Sequence, residues 1–291
     1  MEKSNVEIKL DELIMVEKPY NILQNLELME YGGIKAKVYN EYLDPDEGGP
    51  MGGAECGRHL AILGSIALAY GFHHKRRHYY LAVHAVLERK TSHISESNHF
   101  IAYAIPVLAE KRKGKIYGEI LDEHNAVLFT AEVEYMIMSP AVFTKFYENF
   151  KLDEEIPAVE SPYRNRRRLT NLVFKGDRIS ADYGTIVGSE CEGHFKNYPA
   201  LPVAVIGDLF RELGFALYKK FFPGYDKMIS PRTSIRAYRL AFHGESVAFV
   251  GRISKRISRG VILVTAEAKV GDEIISSVEF EVKGVKSENH S

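Results

Sequence analysis

Residues 193 to 210 read GHFKNYPALPVAVIGDLF. His194 opens a loop bracketed by Pro199 and Pro202, and Asp208 follows inside an apolar run. A histidine titrates near neutrality, and an aspartate desolvated among apolar side chains has its pKa raised, so the two types together suit acid–base chemistry. Working outward, LPVAVIGDLFRELGFALYKKF (201 to 221) reads as one long helix, preceded by strand-like RISADYGTIVGS (178 to 189). It is followed by β-rich SIRAYRLAFHGESVAFVGRISK, GVILVTAEAKV and EIISSVEFEVKG, with Gly271 and Asp272 supplying a tight hairpin turn.

The same order occurs earlier in the chain. Strand-like GGIKAKVYNEYL (32 to 43) leads through DPDEGGPMGG to GRHLAILGSIALAYGF (57 to 72), which has the length and aliphatic content of a buried helix. Four β-rich runs follow: HYYLAVHAVLERK, HFIAYAIPVLAE, KIYGEILDE and AVLFTAEVEYMIM. A helix apolar on nearly every face must be covered on nearly every face. The predicted class is α+β: two central helices, each wrapped by a curved antiparallel sheet, with the sheets joined edge to edge so that two exposed edges disappear. The expected units are residues 1–140 and 178–291, with 141–177 as a linker carrying a short helix at 141–150.

Composition narrows the partners. With 38 Lys and Arg against 39 Asp and Glu, the whole-molecule field gives no reason to expect nucleic acid. The charged MEKSNVEIKLDELI is no secretory leader, and no run approaches the roughly 18 apolar residues of a membrane span, so a cytoplasmic protein is expected. Two cysteines, Cys56 and Cys191, predict neither a disulfide framework nor a zinc site, and no metal is expected. Neither a Rossmann nor a P-loop fingerprint occurs. The basic clusters EKRKGK (110 to 115), YRNRRR (163 to 168), SKRISR (254 to 259) and HHKRRH (73 to 78) read as solvated faces, or as attractors of phosphate if they border a substrate path.

GHFKNYPALPVAVIGDLF resembles the active-site segment of the β-hydroxyacyl-(acyl carrier protein) dehydratases, approximately G-H-F-P-x-x-P-x-x-P-G followed by an acidic residue on the central helix. His194, Phe195, Pro199, Pro202 and Asp208 fall on matching positions, whereas Lys196 and Val203 depart from a proline and a glycine. The resemblance covers 178 to 284 well and 32 to 138 by element order. It implies a double hotdog fold and an acyl thioester carried on the phosphopantetheine of coenzyme A or an acyl carrier protein, with no separate cofactor. A homodimer is compatible with it. It further implies that His194 is the base, Asp208 the acid and the helix N-terminus at Val203 the donor to the thioester oxygen, with Phe195 and Tyr198 beside the substrate.

In that family a histidine of one hotdog faces the acidic residue of the other. Pairing Gly64 with Gly207 sets Ser65 opposite Asp208 and Met51 opposite His194, so neither composite site would hold both groups. Replacement polar groups are available at the start of the first helix in Glu55, Arg58 and His59, with Glu55 and Ser65 the candidates for chemistry. The main expectation is a dehydratase or hydratase of β-hydroxyacyl thioesters. The alternatives are an acyl thioesterase using a helix-borne carboxylate or serine, and an acyl-binding protein without chemistry.

Overall fold

The computed structural model describes residues 9–72, 77–91, 98–153, 161–164 and 166–285. Residues 73–76 of the HHKRRH cluster, Asn165 of YRNRRR, Pro157 and the first eight residues lie outside these. In chain order, β1 (Gln24–Leu28) and β2 (Ile34–Tyr39) precede α1 (Gly53–Phe72), which is followed by β3 (Tyr79–Arg89), β4 (His99–Ala109), β5 (Lys113–Leu121) and β6 (Val127–Met138). A short α2 (Pro140–Phe146) begins the connection. Then come β7 (Thr170–Lys175), β8 (Arg178–Thr185), α3 (Val203–Phe221), β9 (Lys227–Ile229), β10 (Arg232–Ala237), β11 (Ser246–Ser258), β12 (Val261–Val270) and β13 (Glu273–Val285).

The strands form one sheet in the order β1-β2-β4-β5-β6-β3-β10-β13-β12-β11-β8-β7, with β9 beside β13. From β2 inward, the first half runs first, third, fourth, fifth, second strand after counting from β2; from β8 inward, the second half runs the same way. The halves meet where β3 pairs antiparallel with β10, Ala85 opposite Ile235. That seam pairs what would be two free edges, as the apolar edge runs of the sequence require.

Alternation sets the inner face. Ile34, Ala36 and Val38 of β2, and Ile262, Val264, Ala266 and Ala268 of β12, are buried while their neighbours are not. These faces cover α1 and α3, whose buried sets include Leu60, Leu63, Ile66 and Ala67 on one and Leu209, Phe210, Leu213 and Leu217 on the other. Three features differ from the sequence reading. The helix α1 starts at Gly53 rather than residue 57, because the Glu47 carboxylate accepts the Gly53 N–H at 2.9 Å and holds the glycines in its first turn. The run from Ser234 to Lys255 is two strands, broken at a turn where Glu245 N–H reaches Phe242 O at 3.1 Å. The linker contains β7, whose six residues are all exposed and so lack an apolar period to read.

Both central helices carry a Leu-Gly pair, Leu63-Gly64 and Leu213-Gly214, pressed on the equivalent strand of each half. A Cβ at Gly64 would stand 2.6 Å from Tyr135 Oη on β6, and one at Gly214 would stand 2.3 Å from Phe280 Cζ on β13. At Gly57 nothing lies within 4 Å. Gly214→Ala is therefore expected to destabilise by about 1–3 kcal/mol through overpacking. Gly57→Ala should be neutral or stabilising by up to about 1 kcal/mol, through helix propensity. Urea unfolding of both variants checks the contrast, which an equal effect at the two sites would contradict.

Candidate functional site

The His194 loop is clamped from behind. Gly193 has φ +74°, and a Cβ there would meet Glu17 O at 2.4 Å and Tyr20 N at 2.8 Å, so only glycine lets the chain before β1 dock on it. Glu17 N–H donates to Gly193 O at 2.7 Å, and Val16 forms a bridge with His194. On the loop itself, Phe195 has φ +69°, an uncommon conformation for an aromatic residue, and its ring stacks on His194 at 4.1 Å. Phe143 of α2 supports Phe195 edge-on at 5.5 Å and stacks on Tyr79 at 3.6 Å.

His194 is thereby held with Nδ1 2.8 Å from Ala200 O. A carbonyl only accepts, so Nδ1 carries the proton and Nε2 is left as a base, with no hydrogen-bond partner among the described residues. Burial opposes the imidazolium and lowers its pKa to about 4, against which the Ala200 carbonyl is a smaller, opposing effect. The ring borders a largely apolar cavity between the two halves, lined by both central helices and by β3 and β10 at the seam.

The N-termini of both helices reach this cavity through Gly53 and Ala54 of α1 and Val203 and Ala204 of α3. They are finished differently. The N–H of Gly53 is taken by Glu47, itself bonded to Arg89 Nη2 at 2.9 Å. Pro202 caps α3 without a side-chain acceptor, and the N–H groups of Val203 and Ala204 have no partner among the described residues. Free N–H groups at a helix start form an anion-stabilising end.

Asp208 is not brought to His194. It is 2% exposed, accepts from Arg211 Nε at 2.9 Å and from Arg166, and does not line the cavity. Burial alone would raise its pKa, but Arg211 and Arg166 outweigh it and hold the carboxyl below the ordinary range. Arg211 Nη2 also donates to Asp44 Oδ2 at 2.9 Å, and Arg211 Nε lies 3.4 Å from Glu47 Oε2. The YRNRRR cluster is only in part a solvated face: Arg164, Arg167 and Arg168 are exposed, Arg167 pairing with Glu190 and Arg168 with Glu212 at 3.1 Å, whereas Arg166 turns in to Asp208.

The expected pairing of Gly64 with Gly207 is out by two helical turns. Because Gly64 and Gly214 press on equivalent strands, Gly57 matches Gly207, Arg58 matches Asp208 and Ser65 matches Phe215. Counting back from the helix starts then puts Asp44, not Met51, in the place of His194. Each half thus has one acidic or basic group per position, but with different partners.

Among the other expected residues, the cavity lining includes Ser65, Arg58, Val203 and Phe195 and does not include Glu55, His59 or Tyr198. Ser65 Oγ donates to Ile62 O at 2.7 Å within its own helix. Glu55 accepts the Glu41 N–H at 2.7 Å and lies 3.3 Å from Arg58 Nη2; burial raises its pKa to about 7 despite Arg58. His59 is fully buried 3.3 Å from Tyr39 O, and burial holds it well below the ordinary histidine value. Tyr198 packs edge-on against Phe143 at 5.4 Å. The sequence reading missed Tyr20, which stands edge-on to His194 at 5.4 Å, and the Asp44, Glu47 and Arg89 that join Arg166, Arg211 and Asp208 in one network. Tyr20, Asp44 and Glu47 sit in loops, where no periodicity singles them out, and Arg89 is the last residue of β3. No group of three or more His, Cys, Asp or Glu among the described residues is arranged to hold a metal, and no helix there is long and apolar enough to cross a membrane.

No protein-family model matches the chain, and no curated protein matches it. Solved structures do. The chain is similar to a provisionally assigned oleoyl thioesterase from Lactobacillus plantarum, with TM-score 0.61 and 10% identity over 89% of this chain and 98% of that one. It is similar to a 12:0-ACP thioesterase from Umbellularia californica, with TM-score 0.57 and 8% identity over 87% and 94%. It is also similar to the acyl-CoA thioesterase II TesB2 from Mycobacterium marinum, with TM-score 0.53 and 9% identity over 92% and 97%. The fold is a double hotdog. At these identities the likeness concerns the fold, and the double hotdog's site rests on its own geometry.

Arg211 serves three carboxylates at once, so Arg211→Met should cost the double hotdog about 3–5 kcal/mol by leaving buried charge unpaired. Asp44 and Asp208 both titrate below their ordinary range in the folded chain. Their contribution is present above the unfolded value of roughly 3.9 and is lost as pH falls through the folded values. Urea midpoints at neutral pH and at acid pH measure both effects, and a neutral-pH midpoint unchanged by Arg211→Met would contradict the network's role.

Proposed function

We propose that the protein hydrolyses an acyl thioester at one site per chain, built on His194 and the N-terminus of α3. The observation that carries this reading is the unprotonated Nε2 of His194 bordering the same cavity as the free N–H groups of Val203 and Ala204. In the proposed reaction Nε2 removes a proton from water as its oxygen attacks the thioester carbon. The Val203 and Ala204 N–H groups stabilise the developing oxyanion, and its collapse expels the thiolate, which recovers the proton from His194.

Dehydration would also need an acid at the departing hydroxyl. Asp208 is paired with Arg166 and Arg211 and does not itself line the cavity, which disfavours the role that its place in the sequence motif implies. Thiolate leaves without such an acid, and the fold neighbours named as thioesterases point the same way. The carrier is coenzyme A or an acyl carrier protein, with no further cofactor. Glu47 and Asp44 close the pseudo-equivalent position in the other half: one caps α1, and the other is paired with Arg211.

Thiol release from acyl-coenzyme A and acyl-carrier-protein substrates of varied chain length, followed with a chromogenic reagent, tests the proposal. His194→Ala is expected to lower kcat/KM by about 10²–10⁴-fold. Wild-type kcat/KM should hold down the pH scale past the ordinary histidine value of roughly 6.5, falling only as pH approaches about 4, where His194 protonates. Thiol release insensitive to His194→Ala, or enoyl hydration without thiol release, would overturn hydrolysis at this site.

A further inference from the structure

Tyr20 lies ahead of the strands and helix that recur in the two halves. It lies in the segment before β1 that docks on Gly193, and it enters the cavity between the halves. Its ring has His194 edge-on at 5.4 Å, with the Arg58 guanidinium carbon 5.4 Å from its centroid. The residue is 4% exposed, and its hydroxyl has no hydrogen-bond partner among the described residues and is not one of their fully buried unpartnered atoms, so it keeps access to solvent at the cavity wall. A tyrosine hydroxyl placed in this way is left free to bond a ligand or water. Tyr135, also on the cavity wall, instead spends its hydroxyl on Ala61 O at 2.8 Å.

We propose that Tyr20 is a catalytic residue, its hydroxyl donating a hydrogen bond to the carbonyl oxygen of the bound thioester alongside the α3 N–H groups. Burial, more than the opposing Arg58 charge, raises the phenol's pKa, so it is a neutral donor throughout the physiological range. The aromatic ring fixes the hydroxyl by packing against His194, and Gly193 fixes the segment that carries it. The inference rests on the thioester-hydrolysis reading for its substrate, but it is testable without turnover.

Tyr20→Phe keeps the ring contacts and removes only the hydroxyl. Two coenzyme A probes separate the possibilities: an acyl ketone with CH2 in place of the thioester sulfur, and the matching alkyl thioether lacking the carbonyl. Calorimetric titration should show the ketone bound about tenfold more weakly by Tyr20→Phe than by wild type, in line with loss of one hydrogen bond, while the thioether binds both proteins equally. Thermal midpoints should match. In thiol release, Tyr20→Phe should lower kcat by about 10²-fold with KM changed far less. Equal ketone affinity in the two proteins, the same loss for both probes, or no binding of either probe by wild type overturns the assignment. Absent thiol release with the ketone-specific loss retained would instead overturn hydrolysis and leave the Tyr20 contact standing.

Discussion

Two buried helices begin beside the same cavity, and each leaves N–H groups that its own turns cannot satisfy. This constraint organises the rest of the molecule. At α1 the first of these, the Gly53 N–H, is met by the Glu47 carboxylate, whose charge must then be balanced; Arg89 and Arg211 balance it, and Arg211 in turn holds Asp44 and Asp208. At α3 the capping residue is Pro202, which brings no acceptor, and the helix start faces the cavity beside His194. One helix start carries a charged cap and the other has none.

Duplication makes this asymmetry visible. Both halves use the same strand order around a helix bearing the same Leu-Gly contact, so equivalent positions can be compared directly. Asp44 stands where His194 stands, and Arg58 where Asp208 stands. A buried ion network of this kind adds little stability compared with apolar packing, yet breaking it is costly. It therefore fixes the first half's loop firmly. The segment before β1 completes the other end, since Gly193 admits its backbone and Tyr20 and Val16 join the cavity wall.

Most of the fold was legible in the sequence because long apolar helices and alternating strands carry their own period. Both central helices, the doubled order and the continuous sheet follow from those patterns. β1 and β7 escaped because edge strands with few buried residues have no period to show. In the site, His194, Phe195 and Val203 were legible from the loop motif, and all three border the cavity. Asp208 was placed by spacing alone, and spacing does not reveal that Arg166, from the linker, and Arg211, one turn on, turn its carboxylate into a structural anion. The Gly64 and Gly207 pairing failed for a related reason: α1 has Gly57, Gly64 and Gly71 and α3 has Gly207 and Gly214, all seven apart, and only contact with β6 and β13 identifies which are equivalent.

The central claim is that one end of the double hotdog binds the thioester and the other does not. A crystal structure of the chain with a non-hydrolysable acyl ketone analogue tests it most directly. The account predicts one analogue per chain, its carbonyl oxygen at the Val203 and Ala204 N–H groups and beside His194, with the Glu47 bond to Gly53 intact. A carbonyl bound at Gly53 with Glu47 displaced, or two analogues per chain, would contradict it.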